Sequence, residues 1–200
     1  MTTRAILAPV WTLSTVALLT LAVPLAAAAE PVDTRTARDQ LYRNDRVEVV
    51  RYSTAGLSDD EIEVLTVVAQ SQKYYAALAF APEAGIMAEP TVMSANYHTI
   101  EAARGAALQT CNERRSGGAS CVIALEVRPQ GWEPRDFQLS ADATTEFNDD
   151  YRRGGGTRAF AISASSGSWG IGRGESAQHD AVAACQGDTE VSDCAVVIAD

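Results

Sequence analysis

Lysine is almost absent from this chain: Lys73 stands alone among 200 residues, beside fifteen dispersed arginines and only two histidines, His98 and His179. No basic tract forms, and the formal net charge is −10. The run of cations that neutralises successive phosphates is missing, which excludes nucleic acid and anionic membrane surfaces as expected partners. The acidic residues are scattered and read as a solvated face. C-x-x-C spacing is absent, so neither a cysteine zinc site nor a dithiol redox motif is indicated. No serine lies in a G-x-S-x-G elbow, which removes that nucleophile signature. No metal and no cofactor are expected.

Against these absences stands one repetition. Residues 77–85, ALAFAPEAG, match residues 159–167, AFAISASSG. Each is followed by an Ala-rich run ending in Cys111 or Cys185, then by a second cysteine opening an apolar run, CVIAL from Cys121 and CAVVI from Cys194. Nine residues separate the first pair and eight the second. We read an internal duplication. Four cysteines allow three pairings, and the duplication selects the disulfides Cys111–Cys121 and Cys185–Cys194. Each closes a loop of about ten residues and contributes roughly 2.7 kcal/mol in the chain-entropy model.

Disulfides belong to oxidising compartments, and the N-terminus agrees. MTTR, a mostly apolar stretch from Ala5 to Leu21, and LAAAAE, with Ala27 and Ala29 before a cut, have the layout of a secretory signal peptide over residues 1–29. Thr12, Ser14, Thr15 and Pro24 weaken the rival reading as a membrane anchor. The expected location is periplasmic or secreted, with no stable membrane association after cleavage.

Residues 30–73 read as an N-terminal extension: a short helix over 33–42, a strand over 46–52, and a helix over 59–71 opened by the capping box Ser58-Asp59-Asp60-Glu61. The first unit, 74–128, reads as a strand to Ala81, a turn at Pro82–Gly85, a return strand over 86–92, a helix N-capped by Thr99, and a strand over 121–128. Residues 129–157 form a linker, PQGWEPRDFQL, with a helix capped by Ser140 and a joint at Gly154–Gly156. In the second unit, 158–200, AFAISAS and WGIG are strands and Ser176 caps a helix to Cys185. Gly170, Gly172 and Gly174, in WGIGRG, invite comparison with a phosphate-cradling loop but lack its Lys and specific spacing, and a twisted strand leaving a tight hairpin, where close backbone approach is useful, accounts for them. From turn glycine to cysteine the first unit takes 26 steps and the second 18. The extra residues lie around VMSANYHTI, and Met87 occupies the place of Trp169.

Three residues stand out as candidate binding groups. His98 precedes a helix three residues before Glu101, but a catalytic or metal role needs a third convergent group that spacing does not supply. Trp132, with Arg135 close by, is either an interface anchor or a lid folded over the core. Thiol exchange requires an accessible cysteine of low pKa, and only Arg114 and Arg115 near Cys111 favour one.

The second unit, AFAISASSGSWGIGRGES through AVAAC to CAVVIAD, resembles a small secreted bacterial domain of unknown function. The shared pattern is a turn glycine, a Trp-Gly, an Ala-rich helix ending in Cys, and a second Cys before a terminal strand. The whole chain, through RTARDQLY, RVEV, GLSDDE and CVIALEVRPQGWEPRDFQLSADAT, resembles short exported proteins of alphaproteobacteria, some of which carry the label 5-aminolevulinate synthase. That label implies a large cytosolic enzyme holding pyridoxal phosphate on a lysine. Here the only lysine is Lys73, in a chain with an export signal, so the residues do not support it.

The expected fold is α+β: two related strand–strand–helix–strand repeats, each with one disulfide, forming one antiparallel sheet or two small packed sheets with helices on one side. The expected function is a non-enzymatic binding or interaction module for an unknown protein or small-molecule partner, with surfaces around 93–98 and 129–137. The alternative is an enzyme whose site uses His98 and nearby carboxylates.

Overall fold

Two antiparallel sheets divide the strands between them. The computed structural model describes residues 30–52, 56–188 and 191–200; the expected signal peptide lies outside the described residues. The elements, in chain order, are α1 (Thr34–Gln40), β1 (Val47–Arg51), α2 (Asp59–Gln70), β2 (Ala76–Phe80), β3 (Val92–Ser94), α3 (Ile100–Arg114) and β4 (Val122–Pro129). They continue with α4 (Ala141–Asp149), a 3-10 turn (Tyr151–Arg153), β5 (Arg158–Ser163), β6 (Trp169–Arg173), α5 (Ala177–Gln186) and β7 (Cys194–Ala199). The fold is α+β. One sheet has the strand order β1-β4-β2-β3 and the other β6-β5-β7.

The two units share one topology. In each, the first strand is central, the second pairs on one side of it, and the strand that follows the helix pairs on the other. Both central strands slip by one residue against the last strand at the same place. Leu78 faces Leu125 while Ala79 faces Ile123, and Phe160 faces Ile198 while Ala161 faces Val196. Such a bulge adds twist and bends the strand. Above these strands lie buried helix positions at i, i+4 and i+8, Ala103, Ala107 and Cys111 in α3, and Ala177, Ala181 and Cys185 in α5. Small side chains at this spacing put a flat helix stripe onto the alanines of the sheet, Ala77 and Ala79 in one unit and Ala159 and Ala161 in the other. Disulfides Cys111–Cys121 and Cys185–Cys194 are both formed, each joining the helix to the start of the last strand or the residue before it.

The second unit packs more closely than the first. An added Cβ on Gly172 would stand 2.0 Å from the Ala177 carbonyl oxygen, and one on Gly170 would stand 2.3 Å from the Cys185 nitrogen. The glycines thus admit α5 against the bare backbone of β6. In the first unit the corresponding partners of Ala77 and Ala79 are Ser94 and Val92, opposite which the second unit has Gly172 and Gly170.

Helices α3 and α5 each cover one face of their sheet, but β2 is buried along its whole length and needs cover on both. The opposite face of the first sheet, with Leu78, Phe80, Leu125 and Val127, packs on Leu65 and Ala69 of α2. That of the second sheet, with Phe160 and Ile198, packs on Ala37 of α1, Phe147 of α4, Tyr151 and the linker residues Phe137 and Leu139.

The N-terminal extension serves both sheets. Strand β1 pairs along the outer edge of β4, from Val47 opposite Pro129 to Arg51 opposite Leu125. Val32 instead makes a parallel bridge to Ile198 at the outer edge of β7, its N–H donating to the Val197 carbonyl and its carbonyl accepting from Ala199, both at 3.0 Å. The capping box at Ser58 and Glu61 opens α2 as expected.

Two local expectations change. The return strand of the first unit is only Val92–Ser94, because residues before it turn: the N–H groups of Ala84 and Gly85 both bond to the Ala81 carbonyl, and Gly85 has a φ of +80°. Met87 therefore sits at the tip of the turn, 93% exposed, and register, with Ile162 opposite Trp169 and Ala161 opposite Gly170 as Ala79 is opposite Val92, makes Trp169 equivalent to Thr91, just before β3, rather than to Met87. The side chain of Ser176 makes no cap bond to α5, whereas Thr99 accepts from the Ala102 N–H at 3.1 Å.

Candidate functional site

The extra residues of the first unit build the seam between the two sheets. Asn96 adopts φ +64°, a left-handed conformation that Asn tolerates better than most residues. Its amide grips the start of α4: Oδ1 accepts from the Asp142 N–H and Nδ2 donates to the Asp142 carboxylate, both at 3.1 Å. The same carboxylate takes Lys73 Nζ at 2.7 Å, so the only lysine is engaged in an ion pair at the seam. Gly167 of the β5–β6 turn lies so near that a Cβ there would fall 2.2 Å from the Asn96 carbonyl oxygen.

His98 closes this seam from inside. Only 1% exposed, its Nδ1 accepts from the Ser140 N–H at 3.0 Å and its Nε2–H donates to the Ser168 carbonyl at 2.9 Å. Those partners assign a neutral ring protonated on Nε2. Burial pulls its pKa down to about 4, against the opposing pull of the Ser168 carbonyl and the Asp193 carboxylate. Both nitrogens are committed to backbone groups, so neither is free to move a proton to or from a substrate. His179 is exposed beside Asp180 on α5.

Beside the seam, His98 and Thr99 help to line a cavity of about 390 Å³ between the N-terminal segment, the linker and the second sheet. Its exposed wall is largely apolar, from Val32, Phe137, Ile162, Ala164 and Val197, and besides His98 and Thr99 its polar groups come from Gln40, Gln138, Asp136 and Glu30.

Trp132 is half-buried against the first core. The Arg128 guanidinium lies 4.4 Å from its ring centroid, and its Nε1–H donates to Gln138 at 3.2 Å. Arg135 stacks over Tyr42 at 3.6 Å and donates to the Gln40 carbonyl. Tyr42 in turn clasps Glu133, accepting from its N–H at 2.7 Å and donating to its carbonyl at 2.8 Å. The linker is thereby fastened to the end of α1, and through Gln138 the Trp132 network reaches the wall of the cavity that His98 lines.

Sequence reasoning missed Glu126. This fully buried carboxylate of β4 receives Arg104 from α3, Arg128 at 2.5 and 2.8 Å, and the Tyr52 hydroxyl at 2.9 Å. Its only sequence signal is an acid inside the apolar run VIALEV. A buried carboxylate is tolerable only when its charge and lone pairs are met. The second unit has Ala199 at this place, paired with Ala159 as Glu126 is with Ala77.

Among the described residues no three His, Cys, Asp or Glu side chains gather as a metal site, and no helix is long and apolar enough to cross a membrane. Cys111, Cys121 and Cys185 are buried, which denies an attacking thiolate easy access to those sulfurs. No family model, curated protein or solved structure matches this chain.

Proposed function

We propose that this protein is a non-enzymatic binding module of the periplasm or extracellular space, delivered there by the segment 1–29, and that its ligand sits in the seam cavity. The observation that carries the reading is the composition of that cavity: a largely apolar exposed wall drawn from three separate segments, with polar groups among them. Small-molecule sites commonly have this character and volumes of roughly 300–1,000 Å³. A buried imidazole whose nitrogens are both occupied supports holding a ligand rather than transforming one. The ligand expected is a mostly apolar small molecule with one hydrogen-bonding or cationic end for Gln138, Asp136 or Glu30. The two units are best read as copies of one ancestral segment, the first having gained the stretch that makes the seam.

Titration with Nile red, an uncharged apolar fluorophore, is expected to give a saturable emission gain that Ile162→Glu abolishes while far-UV circular dichroism stays unchanged. Absence of saturation with the parent protein, or equal binding by the variant, would sink the reading. Intact mass of protein recovered from an expressing bacterium tests the location: a chain beginning at Glu30 and lacking four thiol hydrogens is expected.

A further inference from the structure

A second cleft, separate from the seam cavity, collects positive charge in this acidic protein. It has a volume of about 410 Å³ and lies where the end of α1, the start of β1 and the end of β4 meet. Tyr42, Arg43, Arg46, Gln130 and Arg135 line it, and no carboxylate does. We propose that this cleft is a binding site for a small-molecule oxyanion, a carboxylate or a phosphate.

The charge balance is the first argument. Arg43 has a counter-ion, since Asp45 accepts its Nε at 3.1 Å and its Nη2 at 2.8 Å. Arg46 and Arg135 make no ion pair among the described residues, nor do Arg35, Arg51, Arg114, Arg115 and Arg152; but the clefts at Arg114 and Arg115 and at Arg35 and Arg152 contain carboxylates, Glu83 and Glu89 in one and Asp33 and Asp200 in the other, and this one contains none. In a chain of net charge −10, two guanidinium groups without a carboxylate in one concavity leave negative charge to be supplied from outside. The nearby acids bond elsewhere: Asp45 is hydrogen-bonded to Arg43 and acts on Arg46 only through its field, as its weakest influence, and Glu48 accepts the Gly131 N–H at 2.9 Å.

Pre-organisation is the second. Arg135 is pinned by its stack on the Tyr42 ring at 3.6 Å and by its bond to the Gln40 carbonyl, so its fork is held before any ligand arrives. Arg46 is anchored through its backbone, its carbonyl accepting the Gln130 N–H at 3.2 Å. Guanidinium forks match carboxylate and phosphate oxygens in pairs, and a fork already ordered loses less freedom on binding. Arg135 is thus a candidate from the sequence, while Arg46, 89 positions away, is supplied by the pairing of β1 with β4.

The test is a pair of titrations of the isotopically labelled chain at low ionic strength, one with inorganic phosphate and one with citrate, followed through the amide resonances of Arg46, Gln130 and Gly131. Saturable shifts are expected, at least tenfold weaker in affinity for Arg46→Gln and for Arg135→Gln, and unchanged for Arg114→Gln at the far end of α3. Tighter binding of one probe identifies phosphate or carboxylate as the preferred group. Arg46 is exposed and its substitution leaves the fold intact, so loss there reports on binding. Equal shifts with sodium chloride at matched ionic strength, no saturation with either probe, or parent-like affinity in both glutamine variants would overturn the site.

Discussion

The two units have the same strand order, the same bulge and the same disulfide, yet they solve the contact between helix and return strand in opposite ways. The second removes side chains from β6, with Gly170 and Gly172, and lets α5 rest on backbone. The first keeps Val92 and Ser94 on β3 and places a charged cluster, Glu126 with Arg104 and Arg128, where the second has only alanine. Close backbone packing specifies position by steric exclusion. A satisfied buried charge specifies it by the cost of leaving that charge unpaired. One topology therefore tolerates two kinds of constraint, provided each unit is consistent within itself.

The largest effect that separates them is expected at the glycines. Gly172→Ala must displace α5 from its strand, because the clash is with backbone atoms, and should destabilise the second unit by about 4 kcal/mol. Ser94→Ala, at the equivalent place in the first, should change stability by less than about 1 kcal/mol. Chemical denaturation of the two variants measures both; similar costs would erase the distinction.

Next comes the seam that joins the units. The His98 pKa of about 4 in the folded protein lies below the unfolded value of about 6.5, so the unfolded chain binds the extra proton first. The stabilisation is whole above pH 6.5 and is lost as pH falls toward 4, to a total on the order of 3 kcal/mol. Denaturation midpoints measured across this range should fall in the parent and flatten for His98→Gln. A slope retained in the variant would assign the pH dependence to other groups.

The smallest contrast concerns the disulfides, where the units should behave alike. Sequence separations of 10 and 9 residues predict that serine pairs at either bridge cost about 2.7 kcal/mol each. A markedly larger loss at Cys185 and Cys194 would show that the close contact of α5 with β6 depends on its bridge.

Local signals made much of this fold readable in the sequence. The capping box at Ser58, the Ala-rich helices and the paired cysteines each act within a few residues, and the structure contains them all, with α3 running one turn past Cys111 to Arg114. The return strand of the first unit begins only at Val92, because between Ile86 and Thr91 the N–H groups of Ala88 and Thr91 close turns onto Gly85 and Ala88, and Pro90 can donate no ladder bond. The seam was less legible. His98 looks like a candidate for chemistry, and only the partners Ser140 and Ser168, brought from distant segments, commit both its nitrogens. Glu126 and the cleft at Arg46 depend on strand pairing between β1 and β4, which no local pattern specifies.

The parallel bridge of Val32 to Ile198 has a consequence for the order of assembly. Thr34 and Asp200, bonded beside it, are 166 positions apart. Contacts of such separation bear nearly the full entropy of closing the chain and tend to form after local ones. During synthesis, β2 through β4 can collapse as soon as they emerge, but the outer edge of β7 has no Val32 to meet until β7 itself exists. The segment at Val32 therefore stays unlatched until β7 has formed, and the bridge closes a structure whose two sheets are already paired.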